Sequence, residues 1–96
     1  MFNNPCGIAI RNDGIIIVVD QNNHKIKGIT PDGIVFTIAG TGEKGDGVGP
    51  GNESMFCYPS DVVVMDDDTI IVSDTGNYKI KGIRIKQFSV KSAAEC

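Results

Sequence analysis

An all-β chain made of two copies of one four-stranded unit is what this sequence predicts. Three observations carry that reading: a gapless internal repeat, strand-length apolar runs cut by turn formers, and no stretch with helical periodicity. The repeat is the strongest of the three. At a constant offset of 54 residues, fifteen positions are identical. They are Met1/Met55, Phe2/Phe56, Pro5/Pro59, Asp13/Asp67, Ile16/Ile70, Ile17/Ile71, Val18/Val72 and Asp20/Asp74, then Asn23/Asn77, Lys25/Lys79, Ile26/Ile80, Lys27/Lys81, Gly28/Gly82, Ile29/Ile83 and Ala39/Ala93. Matches clustered this way, in one register, mark a duplication.

Each unit reads as four short strands, a to d. Strand a covers residues 7–10 and again 61–64. Strand b covers 15–19 and 69–73, and its run Ile15-Ile16-Ile17-Val18-Val19 suits a strand covered on both faces. Ile16, Val18, Ile70 and Val72 are therefore expected to be buried. Strand c covers 25–30 and 79–83, with Lys25 and Lys27 on one face and Ile26 on the other. Strand d covers 34–39 and 88–93. Between them stand turn formers: Asn12-Asp13-Gly14, Asn22-Asn23, Pro31-Asp32-Gly33, Asp66-Asp67-Asp68 and Gly76-Asn77.

A four-stranded repeat of about 40–50 residues is the signature of a propeller blade. The fold class expected is thus all-β, a partial β-propeller of two four-stranded antiparallel blades. Residues 1–54 form the first blade with its glycine-rich d–a linker (40–54), and residues 55–96 form the second. Propellers use about four to eight blades, so two leave apolar sheet faces uncovered. Met1-Phe2 aligns inside the repeat with Met55-Phe56. The expectation is a piece of a larger propeller, or a chain that associates with copies of itself.

Composition narrows the function. Hydrophobic residues make up 41% and charged residues 22% of the chain, ordinary values for a globular protein. The longest apolar run is far too short to span a bilayer, no membrane partner is expected, and no secretory signal is visible, which points to the cytoplasm. A net charge of −3 argues against a wholly basic nucleic-acid binder, though not against a local basic patch. Cys6, Cys57 and Cys96 are odd in number and lie in no Cys-x-x-Cys pair, as expected of free thiols. No cofactor or metal is implied. Asp66-Asp67-Asp68 lacks the rhythm and glycine of a calcium loop. The linker lacks the Gly-Lys-Ser/Thr ending and following helix of a phosphate loop. Asn52-Glu53-Ser54 is a glycosylation sequon, meaningful only in a secreted protein.

Asp20 and Asp74 end strand b before a tight b–c turn, where a carboxylate can accept hydrogen bonds from turn amides. Asn23 and Asn77 suit a positive-φ turn position, with Gly76 offering the same freedom next door. All four are structural turn residues in this reading. His24, the single histidine, aligns with Tyr78 and is expected to pack and make one hydrogen bond. In an antiparallel meander the b–c turns share one rim with the d–a linker. That rim is the candidate partner surface, and its residues are Gln21, Asn22, His24, Glu43, Lys44, Asp46, Thr75 and Tyr78.

The stretches Ile17-Val18-Val19-Asp20-x-x-Asn23-His24-Lys25-Ile26 and Ile71-Val72-Ser73-Asp74-Thr75-Gly76-Asn77-Tyr78-Lys79-Ile80 resemble the NHL repeat. So do the Pro5–Ala9 opening and Ile38-Ala39-Gly40-Thr41-Gly42. The second unit departs from the motif at Tyr78, where it has histidine, and at Asp61, where it has glycine. The resemblance implies a protein-interaction platform, of the kind often appended to ubiquitin ligases and other multidomain proteins. It also raises an alternative, an RNA-binding propeller using a basic stripe on strand c: Lys25, Lys27, Lys79, Lys81 and Arg84, extended by Lys86. Few aromatic residues stand near that stripe to stack bases, Tyr78 being the main one. Some related propellers are lyases whose metal is held by histidines from several blades. One histidine cannot build that site, so no enzyme activity is expected.

Overall fold

The computed structural model describes residues 2–50, 53–84 and 89–95. Among them are nine strands: β1 (Pro5–Ile10), β2 (Ile16–Asp20), β3 (Lys25–Ile29), β4 (Val35–Ala39), β5 (Gly49–Pro50), β6 (Asp61–Val64), β7 (Ile70–Asp74), β8 (Lys79–Arg84) and β9 (Ser89–Glu95). They form two antiparallel sheets with orders β1-β2-β3-β4 and β5-β9-β8-β7-β6. The two predicted four-strand meanders are present, each with strand b in its interior.

The repeat extends to the register of strands b and c, whereas strand d departs from the offset of 54 that the sequence suggested. Ile29 pairs with Val35 but Ile83 with Val90, so the second blade holds one more residue between strands c and d. Ile16 pairs with Ile29 and Asp20 with Lys25, just as Ile70 pairs with Ile83 and Asp74 with Lys79. A bulge falls at Ile26/Lys27 and again at Ile80/Lys81. Such local irregularities re-aim side chains, so their duplication means that both units present strand c in the same way.

Three features depart from the sequence reading. The linker ends in a short strand, β5, which pairs Gly49 with Val90 and Pro50 with Ser89. Two residues give too little periodicity to be seen, and the linker grouped with the first unit thereby joins the second sheet. Each b–c turn is one turn of 3₁₀ helix, Gln21–Asn23 and Thr75–Asn77. The positive φ falls on the residue after it, His24 at 53° and Tyr78 at 56°, rather than on Asn23 or Asn77. Gly76 is needed for space: a Cβ there would lie 2.5 Å from the Cys57 carbonyl oxygen.

One core lies between the sheets. Ile17, Val19, Ile26, Ile38 and Ala39 of the first meet Phe56, Val62, Ile70, Val72 and Ile83 of the second in a single buried cluster. Gly7 lets the innermost strands approach, because a Cβ there would sit 2.8 Å from Asp61 Cα. Val18, Ile70 and Val72 are buried as expected, whereas Ile16 is only half-buried: it lies on the face of the first sheet turned away from the core cluster, and among the described residues no second sheet covers it there. Met1, Asn52, Lys86, Phe88 and Cys96, which figured in the sequence reading, lie outside the described residues.

Candidate interaction rim

Each b–c turn is built around a buried aspartate. Asp20 Oδ1 accepts the Asn3 backbone N–H at 2.7 Å, and its Oδ2 accepts Asn23 Nδ2 at 2.8 Å and Lys27 Nζ at 2.9 Å. Asp74 repeats this: Cys57 N–H donates at 2.8 Å, Asn77 Nδ2 at 2.7 Å and Lys81 Nζ at 2.7 Å. The donors are thus the chain entering strand a, the turn asparagine and a lysine of strand c, not the turn amides that the sequence suggested. The reason is geometric: the 3₁₀ turn leaves the asparagine side chain, three residues on, facing back to the carboxylate. For Asp20, burial pushes the carboxyl up, but the Asn3, Asn23 and Lys27 hydrogen bonds outweigh it and hold the group below its ordinary range.

This arrangement corrects the view of strand c as a solvated basic stripe. Lys27 and Lys81 are buried, the Lys81 side chain completely so. Their ammonium groups stand over the Phe2 and Phe56 rings at 4.9 and 5.0 Å. A phosphate has no route to Lys81 Nζ. Lys25 and Lys79 are half-buried and Arg84 is exposed, so the five residues do not form one open stripe.

The linker docks on the b–c turn of the second blade. Asp46 bridges Lys79 Nζ at 2.6 Å and Lys81 Nζ at 2.9 Å, and the lysines hold its carboxyl below the usual range. Gly45 accepts Asn77 Nδ2 through its carbonyl at 2.7 Å. The two blades are joined at the same rim by His24, whose Nδ1 accepts the Tyr58 N–H at 3.0 Å while the rings meet edge-on at 4.5 Å. Burial, then the nearby Lys44, pushes the imidazole pKa down, with Asp74 opposing. Packing with one hydrogen bond is what the sequence suggested for His24.

The rim residues therefore fall into two groups. Gln21 accepts Asn4 Nδ2 at 2.8 Å, Asn22 N–H reaches the Asn3 carbonyl at 3.1 Å, and Thr75 shares a 2.6 Å hydrogen bond with Ser60. These clasp their own blades. Glu43, Lys44, Asp46 and Tyr78 are exposed around the linker, with Lys44 Nζ 5.9 Å from the Tyr58 ring centre. Tyr78 is 72% exposed, the most open large side chain of the rim. Tyr58, half-exposed with φ of 48°, completes the surface. The sequence reading missed it, although it aligns with Asn4, which has the same left-handed backbone. Across the molecule the a–b turns meet each other, Asn12 N–H donating to Asp68 Oδ1 at 3.1 Å. Among the described residues no group of three or more His, Cys, Asp or Glu is placed to hold a metal, and no helix is long and apolar enough to cross a membrane.

A propeller-type fold with a loop-rich rim is the class these features define. The NHL repeat profile matches residues 56–83. The chain is 32% identical over 88 residues to Protein SUPPRESSOR OF QUENCHING 1, chloroplastic, of Arabidopsis thaliana, covering 91% of this chain and 8% of that protein. It is 32% identical over 96 residues to NHL repeat-containing protein 2 of Gallus gallus, covering 88% and 13%. A structural-genomics protein of unknown function from Bacteroides thetaiotaomicron superposes with a TM-score of 0.75 at 26% identity, over 83% of this chain and 20% of that one. Streptogramin B lyase superposes with a TM-score of 0.69 at 18% identity, over 92% and 25%, a likeness of fold alone. The chain belongs to the NHL-repeat β-propeller family. It spans about a tenth of the length of the curated relatives it matches. NHL repeats are propeller-type modules that generally mediate protein interactions and are typically non-enzymatic scaffolds.

Proposed function

We propose that this chain is a non-enzymatic protein-binding module whose partner surface is the rim formed by the b–c turns and the linker. The observation that carries this reading is the exposed group Glu43, Lys44, Tyr58 and Tyr78, held on a rigid base by the Asp46 and His24 contacts. Tyrosines presented on an ordered scaffold supply contact area with little entropy to lose. Residues 1–54 and 55–96 act as its two blades, and further blades, in the same chain or a second copy, cover the outer sheet faces. A cytoplasmic setting is in keeping with the unpaired thiols Cys6 and Cys57.

A photo-crosslinking side chain at Tyr78, with one at Ile34 on the opposite rim as control, tests the reading in cells. Protein adducts from position 78 and not from 34 are expected. RNA adducts that depend on Lys25 and Lys79 would replace the platform with the RNA-binding alternative.

A further inference from the structure

Where the two blades meet on the rim, one contact ties a titratable group to the shape of the surface. His24 is 8% exposed and stands on a rigid support. Its backbone N–H donates to the Gln21 carbonyl at 3.2 Å. Gly40 packs so closely beneath that a Cβ there would lie 2.5 Å from the His24 carbonyl oxygen. The backbone of His24 is left-handed, φ 53°, a region that histidine enters more readily than most residues. Its Nδ1 accepts the Tyr58 N–H at 3.0 Å, so the neutral ring carries its proton on Nε2.

Tyr58 is the weaker side of this contact. It too is left-handed, φ 48°, but its bulky side chain disfavours that region. Pro59 follows, and a residue before proline is pushed towards extended backbone. A conformation disfavoured on both counts persists only where its neighbours over-determine it. For Tyr58 these are the His24 acceptor, the imidazole edge-on at 4.5 Å, and the Lys44 ammonium 5.9 Å from its ring centre. The residue thus has two states, held and extended, and the hydrogen bond to His24 favours the first.

Protonation removes that acceptor. An imidazolium carries N–H groups on both nitrogens, and the one on Nδ1 would face the Tyr58 N–H. The titratable groups around the ring are Tyr58, Lys44 of the linker, Asp74 at the end of β7 and, next in the chain, Lys25. Lys44 opposes a second positive charge and Asp74 favours one. The Asp74 oxygens, however, already accept the Cys57 N–H, Asn77 Nδ2 and Lys81 Nζ.

We propose that His24 is a proton-operated latch on the partner surface: the neutral ring holds Tyr58 in the rim, and protonation releases it. The inference rests on the platform reading and names its regulation. Neither residue belongs to the core cluster between the sheets, so the switch is local.

The test is an NMR titration of the isotope-labelled full chain from about pH 7.5 to about pH 4.5, spanning the ordinary histidine range and below. At neutral pH the His24 ring should show the Nε2–H tautomer. As it titrates, the Tyr58 amide should follow with the same midpoint, and its N–H/Hα coupling should move to the extended value. Amides of β2 and β7 should stay protected throughout. His24→Gln, which keeps an acceptor and does not titrate, should hold Tyr58 at every pH. His24→Phe, which keeps a ring and has no acceptor, should show the released Tyr58 at neutral pH, with the β2 and β7 signals certifying its fold. Protein adducts from a photo-crosslinking side chain at Tyr78 should be roughly 3-fold or more weaker in His24→Phe than in His24→Gln, the population change that one lost hydrogen bond brings. A Tyr58 amide that ignores the His24 titration, a Gln variant that still switches, or equal adducts from the two variants would each overturn the latch. Loss of the β2 and β7 signals together with Tyr58 would overturn it as well, by showing acid unfolding instead. Adducts absent from the parent itself, with Tyr58 still following His24, would sink the platform reading on which the latch depends.

Discussion

The two blades share strands, the register of strand b on strand c, bulges and buried aspartates, yet the same position meets different surroundings in each. Val62 is 3% exposed and its counterpart Ile8 is 66% exposed. Ile70 is fully buried and Ile16 half-buried, while on the opposite sheet face Ile17 is buried and Ile71 is not. The pattern has a simple cause. Each sheet has two apolar faces, and only one face of each is turned toward the other sheet. The blade is therefore specified locally, by turn chemistry and cross-strand pairing, whereas burial is specified by the neighbour. A propeller repeat behaves in this respect like the unit of a linear array, its stability being partly its own and partly an interface term.

The largest expected effect tests the buried ion pairs. Lys81→Ala leaves Asp74 buried without its ammonium and should cost about 3–5 kcal/mol in urea unfolding. Lys27→Ala, whose side chain is 10% exposed beside the wholly buried Lys81, should cost less, since water can reach Asp20 once the lysine is removed. Equal losses would mean that the first blade's front is as well covered in solution as the second's. Next in size is the apolar pair. Ile70→Ala should cost about 2–4 kcal/mol, and Ile16→Ala clearly less. A concentration-dependent melt in which the two cost the same would show that another blade or copy covers Ile16.

These contrasts mark what the residues alone can tell. The offset of 54 and the turn formers led to both meanders, since strand b with its Asp and strand c with its Lys follow from short-range pattern. Lys27 and Lys81 were misjudged because lysine on a strand is usually solvated, and nothing local says that a buried carboxylate waits across the ladder. Burial at Ile16 was misjudged because sequence shows an apolar face without showing what covers it. Of the rim, Asp46 and His24 were singled out, but their partners lie 33 and 34 residues away. Such pairs are set by how the blades stack, which no motif encodes. Tyr58 escaped notice because it aligns with an asparagine, and what the two share is a left-handed backbone, not a chemistry.

His24 offers a smaller and more specific probe of the joint between the blades. Its Nδ1 accepts a backbone N–H, so the folded state needs that nitrogen unprotonated, and burial with Lys44 lowers its pKa. The sign follows from linkage. A histidine whose folded pKa is lowered contributes its full stability above the unfolded value of about 6.5, and that contribution falls as pH drops below it. The melting temperature should therefore decline between neutral and mildly acid pH, and His24→Gln should flatten the decline. The hydrogen bond itself is worth about 0.5–1.5 kcal/mol. An unchanged slope in the variant would assign the acid sensitivity to other groups.

The smallest effect is expected at the strap that distinguishes the second blade from the first. Asp46 is partly exposed and bridges two lysines, an arrangement whose net value is typically about 1 kcal/mol or less. Asp46→Asn should thus barely move the global melt. Its consequence is local: without the bridge, Gly45–Pro50 is held by the Asn77 contact, the Gly45 N–H to the Phe56 carbonyl, the Met55 N–H to the Gly47 carbonyl and the short β5–β9 pairing. Amide exchange in residues 45–50 should accelerate several-fold, while the amides of β7, in the core of the sheet, keep their protection. Because Asp46 carries a lowered pKa, its contribution is full above the unfolded carboxyl value of about 3.9 and is lost as pH falls below that, through the lowered folded value, so the variant should differ from the parent at neutral pH and converge with it in acid. If Asp46→Asn instead lowered global stability as much as Ile70→Ala, the linker would be part of the core, and the first blade, which has no such segment among its described residues, would be the less stable of the two on its own.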